Sequence, residues 1–150
     1  MVHASVRFTG RVQIVSLKPN DMNKSINQLA KIAYKETVEQ QGSSTNIQLR
    51  KPLIGYMVSI FGHEQRINIT DLTVEDIEKY IASKIALLSD RKFYLGTWVL
   101  DDVVYLDVSR HYFDSDEAIE AGKSGNQVCI WDVLNQKEIY WLKEDELSNL

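Results

Sequence analysis

The chain has 150 residues, 44% of them hydrophobic and 25% charged, with a formal net charge of −4. That length suits one ordinary domain burying roughly two-thirds of its unfolded surface, so no disulfide or metal staple is needed, and the composition excludes low-complexity and disordered classes. No run is long and apolar enough to cross a bilayer and the first residues lack the apolar core of a signal peptide, so a cytoplasmic protein without membrane association is expected.

From Ala4 to Leu17 apolar and polar residues alternate around Gly10, with Val6, Phe8, Val12 and Ile14 at period two, which predicts two short strands or one bent strand ended by Pro19-Asn20-Asp21. Between Met22 and Gln41 the positions Met22, Ile26, Leu29, Ala30, Ala33 and Val38 follow helical spacing, with Asn20 or Asp21 as cap and Gly42 past the end. Residues 42–51 read as a polar, mobile connection. The apolar run from Leu53 to Phe61 predicts a central strand buried on both faces, and Arg66-Ile-Asn-Ile-Thr70 after Gly62 predicts its hairpin partner. Thr73-Val-Glu-Asp resembles a capping box, and Val74, Ile77, Ile81, Ile85 and Leu88 draw one apolar stripe down to Ser89-Asp90.

Phe93 to Leu100 and Val103 to Ser109 are rich in β-branched and aromatic residues, and only Asp101-Asp102 separates them, which predicts a hairpin. Asn-Gly would suit a type I′ turn better, so a longer or strained loop is expected there. A short helix follows from Asp114, ended by Gly122 or Gly125, and then Val128 to Val133 and Glu138 to Leu142 predict a second hairpin around Leu-Asn-Gln-Lys. This order predicts an α+β domain over residues 1–150: a mainly antiparallel sheet with two long helices and one short helix on one face. The polar segment 89–92 is the one place where two subdomains could divide, and one continuous sheet is preferred.

Residues 1–70 carry nine basic and four acidic side chains, residues 71–150 eight basic and seventeen acidic. Such polarity suits a mixed solvated surface or self-association, whereas the basic residues Arg50, Lys51 and Arg66 fall short of what nucleic-acid backbone binding requires.

The three histidines, His3, His63 and His111, sit in separate elements without metal-ligand spacing, and no catalytic triad, nucleophile elbow or phosphate loop is present. Cys129 excludes an intrachain disulfide, points to a reducing compartment and reads as buried packing. The strongest chemical cluster is acidic. Asp101, Asp102, Asp107, Asp114 and Asp132, with Arg110 and His111 among them, would meet only if the two C-terminal hairpins are neighbours; otherwise they are turn, cap and solvent-facing strand residues. The loop after the short helix, with Lys123, Ser124, Asn126 and Gln127, is either an anion-binding turn or a plain helix end. Trp98, Trp131 and Trp141, with Tyr105 and Tyr140, fill space under helices or leave one exposed hot spot.

Gly96-Thr-Trp, Tyr105-Leu-Asp-Val-Ser, Glu117-Ala and Asn126-Gln-x-x-Ile-Trp-Asp132 resemble a pattern seen in small uncharacterised proteins carried by bacteriophages and prophages. The resemblance spans about a third of the chain and implies a viral or mobile-element origin without supplying an activity or a catalytic residue. The combined expectation is a non-enzymatic binding protein, without cofactor, metal or catalytic residues, that self-associates and blocks or sequesters a host protein. Its candidate surface comprises Trp98, Asp107, Arg110, His111, Lys123, Asn126, Gln127, Trp131 and Asp132. The alternatives are a sponge for a nucleotide signal, using residues 123–127 with Arg50-Lys51, and a metal-dependent hydrolase built on the aspartates.

Overall fold

The computed structural model describes residues 4–5, 14–15 and 19–142. Its elements are β1 (Ala4–Ser5), β2 (Ile14–Val15), α1 (Pro19–Gln40), β3 (Gly42–Thr45), β4 (Tyr56–Ser59), β5 (Gln65–Asn68), α2 (Val74–Ser83), α3 (Ile85–Leu88), β6 (Phe93–Leu100), β7 (Val103–Tyr112), α4 (Ser115–Ser124), β8 (Cys129–Asp132) and β9 (Lys137–Tyr140). β1 and β2 pair with each other; the predicted strand positions Val6, Phe8 and Val12 lie outside the described residues. The other seven strands form one antiparallel sheet in the order β3-β6-β7-β4-β8-β9, with β5 also on β7. Strands from both sides of residues 89–92 therefore share that sheet, and the fold is α+β as expected.

The β6–β7 hairpin is the frame. Eight residue pairs run from Phe93↔Arg110 to Leu100↔Val103, and the loop has two residues after all. Asp101 and Asp102 both adopt positive φ, 50° and 64°, the combination a type I′ turn demands. The twist of the flanking strands thus imposes the turn on residues poorly suited to it.

Residues 42–51 are not simply a mobile loop. Gln41 takes the left-handed conformation (φ 69°) that ends α1, and Gly42–Thr45 then pairs with β6 as an edge strand, Gly42 opposite Trp98 and Thr45 opposite Leu95. The predicted strand from Leu53 to Phe61 shrinks to Tyr56–Ser59, because Gly55 turns the chain (φ 92°). Leu53, Ile54 and Phe61 are exposed rather than buried, Leu53 to 82%. Nor do β4 and β5 form a hairpin. Both lie along one edge of β7: Ser59 opposes Ser109 and Gln65 opposes Leu106, so residues 60–64 bulge out where β7 has only Asp107 and Val108. The predicted second helix breaks at Lys84 into α2 and α3.

Every helix that contacts the sheet covers one face. Val104, Leu106 and Val108 of β7, with Leu95 of β6, project into a core shared with Ile26, Leu29, Ala30 and Ala33 of α1, Ile77, Tyr80 and Ile81 of α2, and Leu88 of α3. Val38, expected in that stripe, points outward; the buried α1 position is Thr37, one residue earlier. Its hydroxyl donates to the Ala33 carbonyl (2.5 Å), which leaves its oxygen to accept from the Thr97 hydroxyl (2.5 Å), so the two buried hydroxyls satisfy each other. The capping box at Thr73 is present: Thr73 Oγ1 accepts from the Asp76 amide and Asp76 from the Thr73 amide. Further along the same face, α4 packs Ala118 on Val58 and Ile130. Gly122 does not end α4. It lies within the helix against the Trp141 ring, where a side chain would collide, and Gly125 is the C-cap.

Replacing Asp101-Asp102 by Asn-Gly should raise stability by about 1 kcal/mol, since these residues tolerate positive φ at little cost. Urea denaturation with unchanged slope checks it; an unchanged midpoint contradicts the turn assignment.

Candidate functional site

A strand shows alternate residues to opposite faces, so the helix-covered set on β7 leaves Tyr105, Asp107, Ser109 and His111 on the other, open face. Register adds Tyr94, Gly96 and Trp98 from β6, Met57 and Ser59 from β4, and Cys129 and Trp131 from β8. A cleft of ≈ 780 Å³ opens on this face. Its wall takes residues from β3 at one end of the sheet and from β8 and β9 at the other, so the sheet curls around it.

Asp107 lies at the floor. It is only 6% exposed, and it stands beside the break between β4 and β5 and directly opposite Gly96. Both features make room for it: a Cβ on Gly96 would collide with Asp107 Oδ1, and the bulge removes a regular cross-strand neighbour on the other side. Ser59 Oγ donates to Asp107 Oδ2 (2.8 Å), with the Ser109 hydroxyl behind it at 3.5 Å. Among the described residues no other donor reaches the carboxyl and no cation lies within 4 Å. Burial therefore pushes the Asp107 carboxyl up to about 6, the Ser59 hydrogen bond works against this, and the nearby Glu64 charge adds to it.

The walls are aromatic. Trp98 and Trp131 are each 37% exposed. Trp98 stacks on Tyr105 (centroids 5.1 Å apart, planes 3° from parallel), and the Arg66 guanidinium lies over the far side of Tyr105 at 5.0 Å. Trp131 sits opposite Met57 and Glu138. Among the described residues, three acidic side chains line the cleft, Glu36, Asp107 and Glu138, against one cation, Lys51, which is already paired with Glu36.

Of the residues singled out from the sequence, Trp98, Asp107, Gln127 and Trp131 converge on this cleft. Lys51 also lines it; Arg50, Lys123 and Asn126 do not. His111 is on the same face but is occupied, its Nε2 donating to the Ile54 carbonyl at 2.6 Å while Phe113 packs edge-on against its ring. Arg110 points the opposite way, into a shallower groove under α4, where its guanidinium lies over the Tyr112 ring at 4.6 Å and Nε has no partner. Asp132 also faces away from Asp107. It is buried rather than solvent-facing, accepting from the Asn135 amide and side chain to close the β8–β9 turn, and the Asn135 side chain holds its carboxyl below the usual range.

The acidic cluster therefore does not form. Asp101 and Asp102 close the hairpin, Asp114 caps α4 through the Asp116 amide, and Asp107 and Asp132 lie on opposite faces. Among the described residues no group of three or more His, Cys, Asp or Glu could hold a metal ion. Cys129, expected in the core, is half-buried on the cleft wall, and burial pushes its thiol up, away from the thiolate. Ser59, Met57 and Gly96 belong to the site without having been singled out. Gly96 was the available signal, since glycine within an aromatic, β-branched strand marks a place where something must come close.

Compared with protein families, curated proteins and solved structures, the chain matches none. Among the described residues no helix is long and apolar enough to cross a membrane.

The folded-state value of Asp107 is raised, so the charged carboxylate opposes folding. Stability is fullest below the ordinary range near pH 4 and is lost as pH rises through about 6. Asp107→Asn should therefore stabilise the protein by about 2 kcal/mol near neutral pH and by little near pH 4. Urea denaturation at both pH values measures it, and equal or lower stability of the variant at neutral pH contradicts the site's electrostatics.

Proposed function

We propose that this chain is a non-enzymatic binding protein that captures a partner protein through the open face of its sheet. The observation that carries the reading is the pair of half-exposed tryptophans, Trp98 and Trp131, flanking one cleft on the face of the sheet opposite the helix-packed core. Tryptophan dominates binding hot spots because it buries a large apolar area at low entropic cost. Among the described residues, the carboxylate on the cleft floor has no second carboxylate, cation or activated nucleophile beside it, which disfavours hydrolytic chemistry. A nucleotide is disfavoured on charge, since its phosphates would meet Glu36, Asp107 and Glu138 with Lys51 already engaged. The phage-like pattern along β6, β7, α4 and β8 supports a partner from a bacterial host whose activity is blocked by capture, and the charge difference between the two halves of the chain supports self-association.

The test is capture from bacterial lysate, identification of the retained protein by mass spectrometry and reconstitution of the complex from purified components. Trp98→Ala and Trp131→Ala should each weaken the reconstituted complex by about 2 kcal/mol, roughly thirtyfold, with little change in the unfolding midpoint of the free protein. Full affinity in both variants, or the absence of any reconstituted complex, contradicts the reading.

A further inference from the structure

A buried carboxylate is ordinarily paired with a cation or fully hydrogen-bonded, because its charge is otherwise expensive to remove from water. Among the described residues, Asp107 has one hydroxyl donor on Oδ2 and none on Oδ1, at the floor of a cleft open to solvent. Among the described residues, the basic side chains of this face are committed elsewhere. Lys51 pairs with Glu36 and donates to Thr45, Arg66 pairs with Glu64 and stacks on Tyr105, and His111 is tied to the Ile54 carbonyl. The charge that acts on the carboxyl is negative, Glu64 across the strand break, and Glu138 on β9, which accepts from the Tyr140 hydroxyl, adds a second acid to the cleft lining. Tyr80 lies beneath it on the helix side, its hydroxyl donating to the His63 carbonyl. The cleft is thus an acidic floor between aromatic walls, and this combination attracts a cation with an apolar stem.

Resting on the partner-binding reading above, we propose that the cleft receives a lysine or arginine side chain of the partner protein, with Asp107 as its counter-ion and Trp98 and Trp131 receiving the residues on either side of it. The span of the site favours a chain segment over a free amine. Trp98 and Trp131 stand on strands three spacings apart, about 14 Å along the sheet, a span that several residues of an extended chain cover. The segment would place its basic residue on Asp107 and neighbouring residues against the tryptophans. The same contact explains why the fold keeps a carboxyl whose charge opposes folding: the missing cation arrives with the ligand.

The experiment titrates the intact protein with the blocked tripeptides Ala-Arg-Ala, Ala-Lys-Ala and Ala-citrulline-Ala, following the emission of Trp98 and Trp131 over the constant Trp141. Citrulline keeps the shape of arginine and removes its charge. The expected result is saturable binding of the arginine or lysine peptide at least about tenfold tighter than the citrulline peptide, a preference lost in Asp107→Asn. A second measurement needs no variant: affinity of the unaltered protein for the basic peptide should fall about tenfold between roughly pH 7.5 and pH 5, as the carboxyl takes up a proton. Equal binding of the citrulline peptide, no saturable change with any peptide, or a preference that survives Asp107→Asn each overturns the assignment. The two readings fail separately. A reconstituted partner complex that depends on the tryptophans but not on Asp107 removes the basic side chain and keeps partner binding, whereas one indifferent to the tryptophans removes the partner-binding surface itself.

Discussion

The structure depends on the pairing of β7. Among the described strands, this ten-residue strand alone has three different partners: β6 along one edge, β4 and β5 in succession along the other. Its even-numbered residues from Val104 to Val108 nail the sheet to α1, α2 and α3, and its odd-numbered residues define the open face. A slip of one residue would exchange the two sets and place Asp107 against Leu29 and Ile77, so hydrophobic burial fixes the register and, through it, the cleft. The two-residue turn at Asp101-Asp102 sets the same register locally, at the expense of two non-glycine residues in the left-handed region.

The division of labour between the faces follows. One face carries the described helices that contact the sheet and two apolar clusters, a large one under α1, α2 and α3 and a smaller one under α4. The other carries a small apolar cluster of Met57, Tyr94 and Val133, a hydroxyl chain leading to a buried acid, and two tryptophans in contact with water. Regular strand pairing is interrupted once along β7, at residues 60–64, and the interruption falls beside Asp107. The glycine opposite, the break alongside and the unfavourable ionisation of the acid are three departures from what folding alone would select, and they coincide at one side chain. Such local conflicts are where a fold gives up stability for a site.

Much of this architecture was legible in the sequence, and what was not has identifiable causes. The long helix, the capped second helix and both C-terminal hairpins follow from local periodicity and turn chemistry, which act over a few residues. Residues 42–45 read as loop because an edge strand of Gly, Ser and Thr has no apolar signature, its pairing being decided by β6. The run from Leu53 to Phe61 misled because Gly55 and the bulge at residues 60–64 expose its ends. In the site, Trp98, Asp107, Gln127 and Trp131 were recognisable as candidates from residue type alone. That Arg110 and Asp132 point away from Asp107 depends on register, and Ser59 enters only through a cross-strand contact 48 residues distant in the chain.

The central claim is that Asp107 is a buried carboxyl without a counter-charge among the described residues. Its direct test is a carbon-13 NMR titration of the Asp107 side-chain carboxyl in the unliganded protein. A midpoint near 6 is the predicted result. A midpoint at the ordinary aspartate value of about 4, or below it, would show the carboxyl to be solvated or paired and would contradict the account.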